Sequence, residues 1–341
     1  MSECGGDGDD YGTESGGETG GEMSEGTTET GTTEAGSTGE VSSSVTSEAG
    51  TEVSTETGHG MSMENTSVAN TSEFSINPSL TTEGTNQILE TPLSMEQAQQ
   101  SVEAHHHQSL GQIMEMNGQF IPDSQKERIG NGVQDIKAVE YNPDSKVTGS
   151  FSFHNNKSSI RVSNMNETQI ERTTKHETNH FTSFNREIIV PGEKGYTVHR
   201  TSGVRQASYF HPTQGQEVPI SSKNRGMNEG ITTMYTNQQL EAMDPAKAAE
   251  AARQTGYAHA TELSQELENI VGKEAMAQAY YGGNISGLES KVNELGGEKA
   301  FENLSRCMDT VTYTTDPAER MSAMREAQDI LATMSERQGK K

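Results

Sequence analysis

Two histidines four residues apart, with a glutamate directly after the first, are the residues of this chain best suited to chemistry: His176-Glu177-Thr178-Asn179-His180. On a helix, positions i and i+4 share one face about a turn apart, so both imidazoles can reach a single ion. Glu177 is turned about 100° from His176 and stands beside such an ion, not on it. That offset suits a general base for a water molecule activated by the metal. Imidazole ligands at this spacing suit Zn2+, and catalytic zinc needs a third protein ligand and one open position. The segment Met227-Asn228-Glu229-Gly230-Ile231-Thr232-Thr233-Met234-Tyr235 supplies one. It opens a second helix, from which Glu229 can bring a carboxylate to the same ion. The ligand set read from the motifs is therefore His176, His180 and Glu229, with Glu177 as the catalytic base.

These side chains need elements to hold them. Asn166 can cap a helix that carries Glu167 in its first turn and an apolar stripe at Ile170, Phe181 and Phe184, ending before Pro191. Upstream, Asp135 to Tyr141 reads as a strand and Asn142-Pro143-Asp144-Ser145 as a turn. Gly149 to His154 reads as a second strand with alternating Phe151 and Phe153, Asn155-Asn156-Lys157 as a tight turn, and Ser159 to Ser163 as a third strand. An antiparallel hairpin thus leads into the histidine helix. Beyond that helix come polar turns, then a hairpin of Tyr196 to His199 and Val204 to Tyr209 around Ser202-Gly203. From Asp244-Pro245 the pattern is wholly helical: Ala246 to Arg253, Ala258 to Val271, Glu274 to Tyr281, Ile285 to Leu295, Lys299 to Thr310 and Pro317 to Glu336. Its Leu, Ala and Met at helical spacing read as core and scaffold. The fold class expected is α+β.

Composition divides the chain. Of the 341 residues 29% are hydrophobic, with a mean hydropathy of −0.79, too polar for the whole length to be packed. Residues 1 to 125 hold 22 Asp or Glu and no Lys or Arg, so nearly all of the net charge of −25 sits there. Within the first 60 residues, 47 are Gly, Ser, Thr or Glu, a composition that cannot bury enough apolar surface to offset chain ordering. The expected organisation is a disordered acidic arm and linker over 1–112, a catalytic core over 113–242 and a helical subdomain over 243–341. A possible short helix opens at Ser94, and His105-His106-His107 reads as a polar linker. Cys4 and Cys307 make no disulfide framework. No basic-aromatic patch or Gly-rich phosphate loop is present, so no nucleic acid is expected as partner. No apolar run approaches a membrane span, and the N-terminus has no secretory signal pattern. The expected location is cytoplasmic, or outside by a leaderless route.

An HExxH helix followed by an Asn-Glu-Gly-x-Thr helix resembles the small bacterial gluzincin metallopeptidases, relatives of thermolysin, over about residues 120 to 300. The resemblance implies a zincin-like fold in which Glu229 is the third zinc ligand. It also likens the hairpin from Gly149 to Ser163 to the clan's substrate-lining edge strand, and Ile270 to Asn284 to its C-terminal helices. Two departures stand out. Thermolysin-like enzymes carry an Asp four residues after the ligand Glu, where this chain has Thr233, a weaker acceptor for a ligand histidine. The oxyanion-stabilising His or Tyr has no alignable motif. Tyr209 is the first candidate, because the hairpin can aim it at the cleft, followed by His199, His211 and Tyr235. The function expected is a zinc metalloendopeptidase, a hydrolase acting on a peptide or protein, with a delivered effector or toxin as a sharper version. The rival is a non-catalytic, zinc-stabilised interaction module.

Overall fold

A computed structural model describes residues 93–132, 136–140, 148–152, 157–161, 165–246 and 256–340. Helix α1 (Met95–Asn117) starts at a reciprocal cap: Ser94 Oγ accepts from the Gln97 N–H at 3.2 Å, and Gln97 Oε1 accepts from the Ser94 N–H at 3.0 Å. Ala98, Val102, His106, Ser109, Leu110 and Ile113 form its buried stripe. Helix α2 (Asp123–Gly132) follows a short turn. Strands β1 (Ile136–Val139), β2 (Gly149–Ser152) and β3 (Lys157–Arg161) make a sheet in the order β1-β3-β2. β2 and β3 pair antiparallel as the sequence predicts, whereas β1 pairs with β3 in parallel.

Helix α3 (Glu167–Thr182) begins at Asn166, whose side chain accepts from the Gln169 N–H while Gln169 reaches back to the Asn166 N–H. A four-stranded antiparallel meander comes next, β4 (Asn185–Gly192), β5 (Gly195–Ser202), β6 (Arg205–Pro212) and β7 (Val218–Lys223). Helix α4 (Arg225–Met243) follows, then α5 (Ala258–Val271), α6 (Lys273–Tyr280), α7 (Ile285–Gly296), α8 (Ala300–Tyr313) and α9 (Pro317–Gln338). The described residues are thus α+β, with nine helices and two small sheets. One large core joins α4 to the C-terminal helices through Met227, Ile231, Leu263, Leu304 and Leu331, and a smaller one joins α1, α3, β1 and β3 through Val102, Ile136, Ile160 and Ile170.

Two expectations need correction. The core boundary placed at residue 113 falls inside α1, whose buried residues begin at Ala98. The histidine run is not a linker: His106 is buried, and its Nδ1 lies 2.8 Å from Thr178 Oγ1. Thr178 donates its own proton to the Thr174 carbonyl at 2.7 Å, so His106 is the donor to it. The hairpin expected around Gly203 is present as β5 and β6, and it forms the centre of the meander. Its outer strands β4 and β7 escape prediction because each carries a proline, Pro191 and Pro219, which sits in a sheet only at an edge or bulge. Residues 1–92, the two turns at 142–145 and 155–156, and nearly all of the helix expected over Ala246 to Arg253 lie outside the described residues.

Candidate metal centre

α3 is buried at every position from Thr173 to Thr182, although Phe181 is the only large apolar side chain in that stretch. A polar helix can sit inside a protein only if its side chains find partners there. They do. Thr178 and Thr182 donate to the carbonyls one turn back, Thr174 and Thr178, at 2.7 and 2.8 Å. Asn179 accepts from Tyr281 Oη at 2.8 Å and Gln239 Nε2 at 3.1 Å, and donates to the Lys175 carbonyl and to Thr236 Oγ1. The buried Lys175 ammonium donates to Gln108 and Gln112 of α1 at 3.3 and 3.1 Å, and Glu171 lies 3.9 Å away. The C-terminus of α3 is tied down by Arg128, which donates to the Phe181 and Ser183 carbonyls.

Held this way, His176 and His180 present their Nε2 atoms to Glu229 of α4. His176 Nε2 to His180 Nε2 is 3.2 Å, His176 Nε2 to Glu229 Oε2 is 3.3 Å, and His180 Nε2 to Glu229 Oε2 is 3.4 Å. Three ligands roughly 2.0–2.1 Å from one ion, on tetrahedral corners, stand about 3.3 Å apart. The near-equilateral triangle therefore fits a metal ion. The donor set fits as well: two imidazoles and one carboxylate suit zinc and its first-row neighbours. All three residues are buried, and Glu229 Oε1 has no hydrogen-bond partner. Among the described residues this is the group of His, Cys, Asp and Glu whose ligand atoms converge.

Electrostatics agree with a cation site. Burial is the main force that lowers His176 below the ordinary imidazole range, with His180 and Arg172 acting the same way against Glu229, so the ring is neutral and offers a lone pair. Burial alone would raise the Glu229 carboxyl, yet the neighbouring His180 and His176 rings outweigh it and keep the group ionised. The remote nitrogens face neutral groups. Thr233 Oγ1 lies 3.5 Å from His176 Nδ1, while Thr232 Oγ1 and Asn228 Nδ2 lie 3.4 and 3.5 Å from His180 Nδ1. The Tyr257 ring stacks on His176 with 6.0 Å between centroids.

Glu177 lies outside the triangle. Its carboxylate is pressed against strand β2: a Cβ built on Gly149 would fall 2.5 Å from Glu177 Oε1 and 2.7 Å from Thr173 Cγ2. β2 is the outer strand of its sheet among the described residues. Gly230, next to Glu229, serves packing, since a Cβ there would lie 2.5 Å from the Ala260 carbonyl oxygen of α5.

Comparison with known families, with curated proteins and with solved structures finds no match.

The other sequence candidates are not members of the triangle. Tyr209 sits in β6 beneath the Arg200 guanidinium, 5.0 Å from the ring centre, and is not part of the triangle. His199 pairs with Ser208 on the meander, and His211 stacks on Tyr196 and faces Glu217 at 2.6 Å. Tyr235 lies in the core between Tyr280 and Tyr281. Sequence reading missed Gly149 as a neighbour of Glu177, although a glycine inside a strand is a signal of close approach. It also missed Tyr280, for which no motif gives a signal. No helix among the described residues is long and apolar enough to cross a membrane.

Proposed function

We propose that this chain is a zinc-dependent peptidase of gluzincin type, with a zincin-like core, that hydrolyses a peptide or protein substrate. The observation that carries the reading is the three-ligand triangle, with Glu177, next to His176 in the chain, outside it and against β2. A structural zinc site fills four positions from the protein and has no use for an unliganded carboxylate alongside. Zinc held by His176, His180 and Glu229 would supply Lewis acidity to a scissile carbonyl and acidity to a water molecule. The residues of the chain do the rest. Glu177 accepts a proton from the attacking water at its carboxylate and returns it to the leaving amine nitrogen. β2, at one side of its sheet among the described residues, would take an extended peptide as an added strand held by main-chain hydrogen bonds. Gly149 on that strand lets Glu177 lie against the backbone, which puts the proposed base at the strand where the substrate would lie.

The test is metal content by mass spectrometry together with cleavage of a peptide library, with and without chelator. The reading requires about one zinc per chain and cleavage abolished by chelation and restored by zinc. A stoichiometric zinc site with no cleavage of any library member would favour the interaction-module alternative, and absence of bound metal would reject both.

A further inference from the structure

We propose that Tyr280, through Thr232, is a positioning residue for the metal centre: its phenol holds the Thr232 hydroxyl oxygen as the acceptor that orients His180. The inference rests on the metal-site reading above. It gives the C-terminal helical part, which the sequence presents as scaffold, a share in metal affinity.

The hydrogen-bond inventory carries it. A threonine hydroxyl has one proton, and Thr232 donates that proton to the Asn228 carbonyl, one turn back on α4, at 2.8 Å. Its oxygen can then only accept. Tyr280 Oη lies 2.7 Å away and is the donor in that pair. His180 Nδ1 lies 3.4 Å from the same oxygen, so Nδ1 is served by an acceptor and Nε2 keeps the lone pair that points into the triangle. The other group near Nδ1, the Asn228 amide nitrogen, is a donor, because Asn228 Oδ1 is turned to accept from the Val204 N–H at 3.1 Å. Of these two, only Thr232 selects the ligand tautomer.

Tyr280 is placed for this role by its burial and by contacts from two separate elements. Its ring is fully buried, and burial keeps the phenol protonated far above the ordinary tyrosine range, so it remains a donor. Its carbonyl accepts from the Phe184 N–H at 2.9 Å, just past the end of α3, and the Phe184 carbonyl accepts from the Gly203 N–H at 2.8 Å. Gly203, at φ 58° in the β5–β6 turn, lies against the ring: a Cβ there would fall 2.8 Å from it and 2.3 Å from Asn228 Oδ1. Tyr235 is a built-in contrast. Its ring lies 5.5 Å from that of Tyr280, but its hydroxyl has no hydrogen-bond partner.

The test measures zinc and Co2+ affinity by competition with a chromogenic chelator, on the full chain, for Tyr280→Phe, Thr232→Val, Thr232→Ser, the Tyr280→Phe/Thr232→Val double variant and Tyr235→Phe. Outer partners of ligand histidines typically contribute about 10- to 100-fold in metal affinity. Tyr280→Phe and Thr232→Val should each weaken binding about ten-fold or more and alter the visible spectrum of the Co2+ form. The double variant should lose little beyond the worse single, because both act through one oxygen. Thr232→Ser should retain affinity, and so should Tyr235→Phe. Affinity within two-fold of the parent in Tyr280→Phe, or additive losses in the double variant, would overturn the relay. If Tyr280→Phe fails to fold, the Thr232→Val and Thr232→Ser pair decides the point alone: equal affinities refute it. A parent chain that binds neither ion would instead overturn the metal reading itself.

Discussion

Gly149→Ala should separate catalysis from metal binding with the smallest change available, one methyl group. The added Cβ would lie 2.5 Å from Glu177 Oε1, 2.8 Å from Glu177 Cγ and 2.7 Å from Thr173 Cγ2, where ordinary contact begins at 3.4 Å. The carboxylate or the strand must therefore yield by about 0.9 Å. Thr173 is buried and blocks the easiest retreat along α3. Overpacking of this kind costs about 1–3 kcal/mol of stability. The catalytic effect should be larger, since misplacing a reacting group by about 1 Å can cost on the order of 100-fold in rate. The ligand atoms belong to His176, His180 and Glu229, none of which is among the atoms nearest the new methyl, so zinc affinity should stay within a few-fold of the parent. The assay is kcat/KM on a peptide identified from the library, beside chelator-competition affinity and a melting curve. An unchanged kcat/KM would refute the placement of the proposed base against β2. A rate lost only in proportion to lost zinc would refute the separation of Glu177 from the ligand set.

Glu177→Gln keeps the size of the side chain but cannot take the proton; it should bind zinc as the parent does and lose about 100- to 10,000-fold in rate, measured on the same peptide. Glu229→Ala should bring zinc occupancy well below one per chain and abolish the rise in melting temperature that zinc gives the parent; full occupancy would remove Glu229 from the ligand set. Deletion of residues 1–112 should eliminate cooperative unfolding in urea, because it removes the buried Val102 and Leu110, each worth about 1.5–3 kcal/mol, and the Gln108 and Gln112 partners of Lys175. Deletion of residues 1–92, whose composition is poor in core formers, should leave that transition in place. Glu268, buried on α5, has its carboxyl raised above the ordinary value by desolvation, with Gln238 and Gln265 donating to it in partial compensation. A raised carboxyl contributes its stability below its unfolded value of about 4.3 and loses it as pH rises through the folded one. Glu268→Gln should accordingly raise the urea midpoint at pH 7 and change it little near pH 4; no gain at pH 7 would show that the ionised carboxylate is well served where it is.

The sequence displays the candidate metal ligands because their spacing is local. His176 and His180 share a helix face by arithmetic, and the Asn166 cap that starts their helix is legible for the same reason. Glu229 is visible because a carboxylate followed by Gly230 opens a second helix, and Gly230 proves to be where α4 crosses α5 at close range. What stayed hidden depends on contacts between residues far apart in the chain. His106 looks like part of a polar run, yet one turn of α1 sets it against Thr178 while His105 faces Glu167 at 2.7 Å and His107 is exposed. β1 is short, and nothing in its four residues says that its partner is β3 in parallel.

The threonines show why composition misleads here. Thr173, Thr174, Thr178, Thr182, Thr232, Thr233 and Thr236 are all buried, although their abundance lowers the apparent hydrophobicity of both site helices. Thr178, Thr182, Thr232 and Thr236 each spend their one proton on the carbonyl a turn back. A back-bonded threonine is then apolar at its methyl and an acceptor at its oxygen, and it can lie between packed helices without an orphaned donor. At Thr178 that acceptor serves His106, and at Thr232 it serves Tyr280 and His180. An aspartate at such a position would bring a second buried charge beside Glu229, with the desolvation that a carboxylate carries. A hydroxyl that accepts from a ligand imidazole would orient it at lower cost and with less pull on the ring proton, so the ligand nitrogen should be less basic than a carboxylate-backed one. The same local rule, a side chain that closes on its own helix, thus explains both why these helices read as polar in sequence and how they can be buried around a candidate metal site.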